Sequence, residues 1–411
     1  MDRAYRRPVP GSLRSFRVRA FLVAEAISAI GTWATFIAIW GYAAFEFGAT
    51  AGDVTLFGIA LTLPGVLLGP FVGTVIDRIG PRASLGLAKA IGVVASLALL
   101  SANDFRALAA LSMVHGVAGA LTVPALQSLP PRLVGEDELA RTNALVSLTD
   151  EVAIIGGPVV GAVAIGWFGF RGAFVLTAAT YLLGILVLPI VHVRDVSDPD
   201  ATSRPGLRDA LDGLRLVART PVLRRIVVAM SSVHLLYGAA LLAEPLYVRD
   251  VLERPPSTFA ALQAVFGVFL VAGGITVARL GDRVASFGWV VLGVGASGVT
   301  AIVYLGTPVL AVAFVGVAAW GVCTALLSGP SRTLLQRNAP EAVHGRVIAT
   351  DTMAGTGAQL IGIVSTGALV GTLGVSAAMG VLGGVVVLVA VGLHLSGSRQ
   401  TAPVLVPEVV G

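Results

Sequence analysis

The chain is 411 residues long, 56% hydrophobic and only 12% charged, with 50 glycines and a formal net charge of +5. An ordinary soluble domain carries roughly 25% charged residues, and a mean hydropathy of +0.89 leaves too little polar sequence to clothe a water-soluble core of this size. These values exclude a soluble enzyme and a nucleic-acid-binding domain, and they turn the positive charge into a question of membrane topology.

An arginine-rich segment to Arg19 leads into span 1, about Arg19 to Phe47, followed by a short loop at Thr50 to Asp53. This first apolar run is too long for a cleaved signal segment and no small-residue cleavage site follows it, which predicts an uncleaved start. Span 2 is the apolar run Val54 to Ile76, and span 3 resumes after a charged turn and ends at Leu100. Both are long enough to cross a bilayer. Span 4 covers Arg106 to Leu129 and is stopped by Pro130-Pro131. An acidic loop with Glu136, Asp137 and Glu138 then leads into span 5, Leu139 to Gly166, and span 6 runs from Arg171 to Val193.

The longest polar interval, Arg194 to Arg225, holds seven arginines and five aspartates. Within it Leu207, Leu211, Leu214, Val217 and Ala218 recur at helical spacing, which predicts an amphipathic connector on the membrane surface with a solvated charged face. Spans 7 to 12 are expected at 222–248, 257–279, 286–306, 308–330, 345–371 and 374–396, with a tail to Gly411.

The turn between spans 2 and 3 reads Gly73-Thr74-Val75-Ile76-Asp77-Arg78-Ile79-Gly80-Pro81-Arg82. Gly73 and Gly80 suit a tight turn and close helix approach, Asp77 can accept from helix N-terminal amides, and Arg78 and Arg82 hold the tip in water. The spacing Gly-x-x-x-Asp-Arg-x-Gly-x-Arg resembles the loop between the second and third helices of the major facilitator superfamily. A second copy, Asp282-Arg283, lies 205 residues after Asp77-Arg78. The same offset pairs Gly116 with Gly321, Arg132 with Arg337, Arg141 with Arg346 and Gly157 with Gly362. A constant offset without a gap argues for two homologous halves in parallel orientation. The expected fold is therefore an all-α integral membrane protein of 12 transmembrane helices in two pseudo-symmetric six-helix halves. The halves cover 1–193 and 222–396, with a linker over 194–221 and a tail over 397–411.

By these boundaries 23 of the 28 basic residues share the side of the Asp77 turn and four lie opposite, which predicts cytoplasmic N- and C-termini. A single lysine beside 27 arginines, with abundant Ala, Gly and Val, suggests a GC-rich bacterial genome and hence a bacterial cytoplasmic membrane.

Span 5 carries Gly156-Gly157-Pro158-Val159-Val160-Gly161, similar to the Gly-Pro-x-x-Gly motif of the superfamily's exporters. Gly157, Pro158 and Gly161 match; Ala153 and Ala162 stand where that pattern has glycine. The competing reading is a proline kink eased by small neighbours. Embedded carboxylates are a sharper signal, because an ionised acid at the bilayer centre costs at least ~2.5 kcal/mol. Counted from the nearest arginine at ~1.5 Å per residue, Glu25 lies ~9 Å deep, and Asp150 and Glu151 lie ~13 to 15 Å into a ~30 Å core. Asp150 and Glu151 are adjacent and point about 100° apart. These three are the candidates for carrying protons or attracting a cationic substrate; for Glu25 a shallow interfacial position is the rival reading.

Asp351 is expected at the interface, and Glu46 and Glu244 in water near the outer ends. His115 and His234, each nine residues beyond an arginine, are proton-relay candidates against plain packing, and neither has a metal-ligand partner at helical spacing. Lys89 is expected to snorkel to the cytoplasmic interface. Trp33, Phe36, Trp40, Gln127, Tyr237, Gln263 and Trp320 are candidates for an amphiphile-binding cavity, against aromatic packing.

Cys323 is the only cysteine, so no disulfide is expected, and no metal site, phosphate loop or nucleophile elbow appears. No cofactor is expected and the energy source is a proton gradient. Leu133-Val134 through Asn143-Ala144, followed by Gly157-Pro158, resembles the branch of the superfamily that contains enterobactin exporters and macrolide efflux proteins. That resemblance implies a monomeric secondary transporter, not an enzyme, exporting drug, antibiotic or siderophore amphiphiles in exchange for protons by alternating access. An uptake carrier or lipid translocator on the same fold, and a non-transporting receptor, are the rival readings.

Overall fold

A computed structural model describes residues 15–191, 207–284, 286–339 and 343–397. In hydrocarbon every backbone N–H and C=O needs an internal partner, and for a lone apolar run only a helix supplies one. The first part of the chain accordingly forms α1 (Phe16–Phe45), α2 (Ala51–Ile79), α3 (Pro81–Ala98), α4 (Phe105–Gln127), the single turn α5 (Pro130–Leu133) and α6 (Glu136–Val187). The second part forms α7 (Leu207–Arg219), α8 (Pro221–Leu246), α9 (Pro256–Leu280), α10 (Phe287–Leu305), α11 (Leu310–Arg337), α12 (His344–Leu373) and α13 (Val375–Gly397). No strand occurs among the described residues. Ten described stretches are long and apolar enough to cross a membrane. Large apolar side chains such as Val315 and Leu388 point outward, the reverse of a soluble fold.

Of the ten stretches, Val152–Ile190 has 39 residues, about 58 Å of helix and enough for two crossings. It breaks at Gly169, whose φ of 69° and ψ of −178° fall outside helical geometry. At an offset of 205 residues stands Gly374, which ends α12 with φ 82° and ψ 168°. Both turns need a backbone that only glycine adopts at little cost. Predicted spans 5 and 6 are thus the two arms of α6, matching α12 and α13. The starts of α1, α2 and α4 at residues 16, 51 and 105 are matched at the same offset by α8, α9 and α11 at 221, 256 and 310.

Local chemistry sets the helix ends. The predicted loop at Thr50 to Asp53 is a capping box: the Asp53 N–H donates to Thr50 Oγ1 at 3.2 Å, and the Thr50 N–H donates to Asp53 Oδ2 at 3.0 Å. Gly80, at φ 83°, turns the chain from α2 into α3, which begins on Pro81. The predicted connector helix is α7. Its Gly213 backbone packs against Thr350 and the Arg346 carbonyl of α12, and Val217 is buried, whereas Leu214 is exposed. Residues 192–206 of the linker and 398–411 of the tail lie outside the described residues.

The two sets of helices, α1–α6 and α8–α13, meet at the end of the bundle where α1 finishes. Phe45 of α1 sits 6.3 Å from the rings of both Phe170 and Phe259. Thr55 and Gly58 of α2 meet Gly367 and Ile363 of α12. Arg249, in the turn that follows α8, donates through Nη1 to the Ala44 and Ala49 carbonyls at 2.7 and 3.0 Å. The last carbonyls of a helix lack intrahelical partners, so Arg249 caps α1 from across the interface. Its Nη2 also donates to Asp250 at 2.8 Å.

Arg249→Ala should loosen this end, because hydrogen bonds to a charged group are worth ~1.5 to 3 kcal/mol and one such loss shifts a two-state equilibrium about tenfold or more. Spin labels on cysteines placed at Gly52 and Ser257, in a Cys323-free background, should report a broader and longer distance distribution. An unchanged distribution would mean that Arg249 does not hold the end closed.

Candidate functional site

Trp33, Phe36 and Trp40 follow one another along one side of α1, a spacing that brings side chains into contact on a helix. Their rings stand edge to face, with centroids 5.6 Å apart for Trp33 and Phe36 and 6.3 Å for Phe36 and Trp40. Trp40 is buried 5.3 Å from Phe57 of α2 and serves packing. Trp33 and Phe36 instead face a cavity between the two sets of helices.

The cavity has two neighbouring chambers whose linings share Trp33, Phe36, Tyr237 and Trp320. The inner one, about 30 Å³, adds Pro158 of α6, Glu244 of α8 and Gln263 of α9. That volume holds about two water molecules. The larger chamber, about 290 Å³, extends away from the closed end toward Met230, His234, Ser328 and Gln359. Five of the predicted lining residues therefore converge on one site. Gln127 does not: it is the last residue of α4 and is exposed.

The span 5 motif positions the first wall. A Cβ added at Gly157 would stand 2.2 Å from the Trp33 Cβ, and one at Gly161 would stand 3.1 Å from the Ala34 Cα. The two glycines let α6 lie directly behind Trp33, and Pro158 between them faces the inner chamber.

The expectation of a water-exposed Glu244 is overturned. Glu244 is 8% exposed, and its Oε2 accepts from Gln263 Nε2 at 3.1 Å. Residues from Gly238 to Val248 are all buried, because the end of α8 is enclosed by neighbours on every side. Counting depth from the nearest arginine sees the distance along the helix but not that enclosure. Glu46, by contrast, is exposed as expected, and Asp351 is half-buried with Oδ1 enclosed.

The snorkelling expectation for Lys89 and the shallow reading of Glu25 are both overturned. Lys89 is 1% exposed and Glu25 3%. Lys89 Nζ lies 3.0 Å from Glu25 Oε2 and donates to Ser28 Oγ at 2.8 Å. The side chain turns inward because Gly184 of α6 leaves room for it; a Cβ there would stand 2.8 Å from the Lys89 Cδ. Beside the pair, Thr32 donates to the Tyr181 hydroxyl at 2.9 Å, and the buried His115 ring lies 6.0 Å from Tyr181. Glu25, Lys89 and His115 thus form one polar cluster inside α1, α3, α4 and α6, and none of them lines either chamber. His234 does line the larger chamber, with its Nδ1–H donating to the Met230 carbonyl at 2.9 Å.

Asp150 and Glu151 fall in the first arm of α6, but their side chains lie outside the described residues, as do those of Asp77 and Asp282 and the surroundings of Gly73. Arg78 and Arg283 are exposed, while Arg82 is half-buried and shares a groove with Arg132. Among the described residues no cluster could hold a metal ion.

Comparison with known proteins fits this arrangement. A family model of the Major Facilitator Superfamily matches residues 21–363. The chain belongs to that superfamily. It is 25% identical over 347 residues to the multidrug efflux pump Tap of Mycolicibacterium fortuitum, covering 81% of this chain and 84% of that one. It is 26% identical over 321 residues to the enterobactin exporter EntS of Shigella flexneri, covering 76% of each. In fold it is similar to a bacterial homologue of the human lysosomal transporter Spinster, solved in an inward-facing, unoccupied conformation. The TM-score is 0.73 at 14% identity, covering 96% of this chain and 100% of that one. The superfamily makes the chain a multi-pass membrane transport protein rather than an enzyme.

The Glu25–Lys89 pair gives a stability test. Removing one partner of a buried pair strands a charge and costs ~3 to 5 kcal/mol, whereas apolar replacement of both is often near neutral. Lys89→Met should lower the detergent-solubilised melting temperature markedly, and Glu25→Leu added to it should restore most of the loss. A double variant as unstable as the single one would show that the pairing is not what matters.

Proposed function

We propose that this superfamily member is a secondary transporter that exports amphiphilic small molecules by alternating access, driven by a proton gradient. The observation that carries the reading is the aromatic cavity between α1 and α6 on one side and α8, α9 and α11 on the other, closed at one end of a membrane-embedded bundle. Sequence similarity to proteins named as a multidrug efflux pump and an enterobactin exporter supports the outward direction.

In this reading two six-span halves, 1–193 and 222–396, give twelve crossings and rock about the cavity as a monomer in a bacterial cytoplasmic membrane. The arginine-rich side is cytoplasmic, so the end sealed by Phe45 and Arg249 faces outward and the cavity belongs to an inward-facing state. Gly73, Asp77, Arg78, Gly80 and Arg82, with Asp282 and Arg283, steady helix ends when the cytoplasmic side closes. Asp150 or Glu151 exchanges a proton for substrate, since a carboxyl is the side chain best able to switch charge at that depth. No resident cofactor takes part.

Three measurements check this. Cells producing the protein should accumulate less of one or more members of a panel of dyes, antibiotics and siderophores, and collapsing the proton gradient should erase the difference. In liposomes Asp150→Asn and Glu151→Gln should lose uphill transport under an imposed pH gradient while keeping downhill exchange; wild-type concentration by both single variants and the double would move coupling elsewhere. For orientation, cysteines at Thr50 and Thr307 in a Cys323-free background should react with an impermeant thiol reagent from outside, and one at Gly80 should not. Inverted labelling would reverse the inward-facing assignment.

A further inference from the structure

Glu244 stands apart from every other described carboxylate near the cavity. It is 8% exposed, it lines the inner chamber, and its hydrogen-bond partner is the neutral amide of Gln263. No Lys, Arg or His pairs with it among the described residues. Glu25, equally buried, has its cation in Lys89. A buried carboxylate without a counter-charge is costly, and around this one the walls are the rings of Trp33, Phe36, Tyr237 and Trp320. Aromatic ring faces attract cations and add to the pull of a carboxylate.

We propose that Glu244 and Gln263 form the docking point for the positively charged end of the transported molecule, a terminal alkylammonium group, with its apolar body in the larger chamber. This rests on the reading of the cavity as the transport site. The geometry fixes the kind of cation. The inner chamber measures about 30 Å³, room for an ammonium or a small alkylamine but not for a charge buried inside bulky substituents. Gln263 Nε2 is committed to Glu244, which leaves the amide oxygen as an acceptor for a second ammonium N–H. The larger chamber, about 290 Å³ and mostly aromatic and aliphatic, takes the remainder of an amphiphile. No described Asp, Glu, Lys or Arg lines it, so the charge of the ligand is read in the inner chamber.

The test uses the full chain in lipid nanodiscs and reads binding without any gradient. The probe is dansylcadaverine, which carries a terminal primary amine, with energy transfer from Trp33 and Trp320 to the dansyl group as the signal. Wild-type protein should bind it at least tenfold more tightly than its N-acetylated, uncharged form, and tetraphenylphosphonium should fail to compete. Glu244→Gln should weaken dansylcadaverine at least tenfold while leaving the acetylated form unchanged, which also reports that the cavity is folded. Gln263→Leu should weaken the amine in the same sense. Equal binding of the amine and its acetylated form, or undiminished amine binding by Glu244→Gln, overturns the proposal, as does no binding to wild type. A protein that binds the amine as described but does not lower accumulation in cells sinks the export reading alone; one that exports yet ignores Glu244 sinks this site alone.

Discussion

The contact on which the rest depends is the approach of α6 to α1 at Gly157 and Gly161. Between membrane helices there is no hydrophobic force to squeeze out, since lipid tails are as apolar as leucine, and association rests on close packing and hydrogen bonds. Here the packing is close enough that one Cβ at Gly157 would collide with Trp33. Threonines reinforce the same interface: Thr35 of α1 donates to Thr177 at 2.6 Å, and Thr177 donates to the Gly31 carbonyl at 2.6 Å. With α1 pinned along both arms of α6, Trp33 and Phe36 have one direction left to face, and that direction is the cavity. Pro158 lies on the same surface because two small residues flank it at helical spacing, so the motif's glycines and its proline serve one arrangement.

Much of the fold was legible from composition and period. The hydropathy and the 205-residue offset led to parallel repeats of apolar spans, and Gly169 and Gly374, alike in left-handed φ, fall on that offset although neither belonged to the residues that first showed it. The cavity was legible too, because aromatic and amide side chains inside apolar spans are few and five of those chosen share one space. Charge was harder. Lys89 and Glu25 lie on different spans, and a position's depth does not say which neighbour it meets; only Gly184, far along the chain, turns Lys89 inward. Glu244 was misplaced for the same reason. Its signal was present in the neighbourhood, a carboxylate followed by Pro245 within a run of small and apolar residues, but depth alone pointed to water.

Charge also distinguishes the two repeats. At the 205-residue offset Glu25 falls on Met230, Lys89 on Val294, Thr32 on Tyr237 and His115 on Trp320. The polar cluster of the first repeat is thus replaced by apolar and aromatic residues in the second, two of which, Tyr237 and Trp320, line the cavity. Conversely Glu244 falls on Ile39 and Gln263 on Gly58. Gly58 gives its space to Trp40 and Ile363, where a Cβ would stand 2.8 and 2.9 Å from their side chains.

Duplicated scaffolds supply equivalent positions, and the side chains placed there decide what each position does. In the first repeat a carboxylate and an ammonium neutralise one another within 3.0 Å, out of reach of the cavity. Such a pair contributes little net stability against apolar replacement, yet it ties α1 to α3 within the first repeat. In the second repeat the carboxylate is carried toward the closed end of the bundle, into the space between the repeats, with an amide where an ammonium would otherwise stand. Under the proposed alternating access, a charge balanced within one body is indifferent to how the bodies rock. A charge at the seam between them, with Trp33 and Phe36 contributed by the opposite body, changes its surroundings whenever they do, and this is the physical requirement for a residue whose ligand must be held in one state and released in the other.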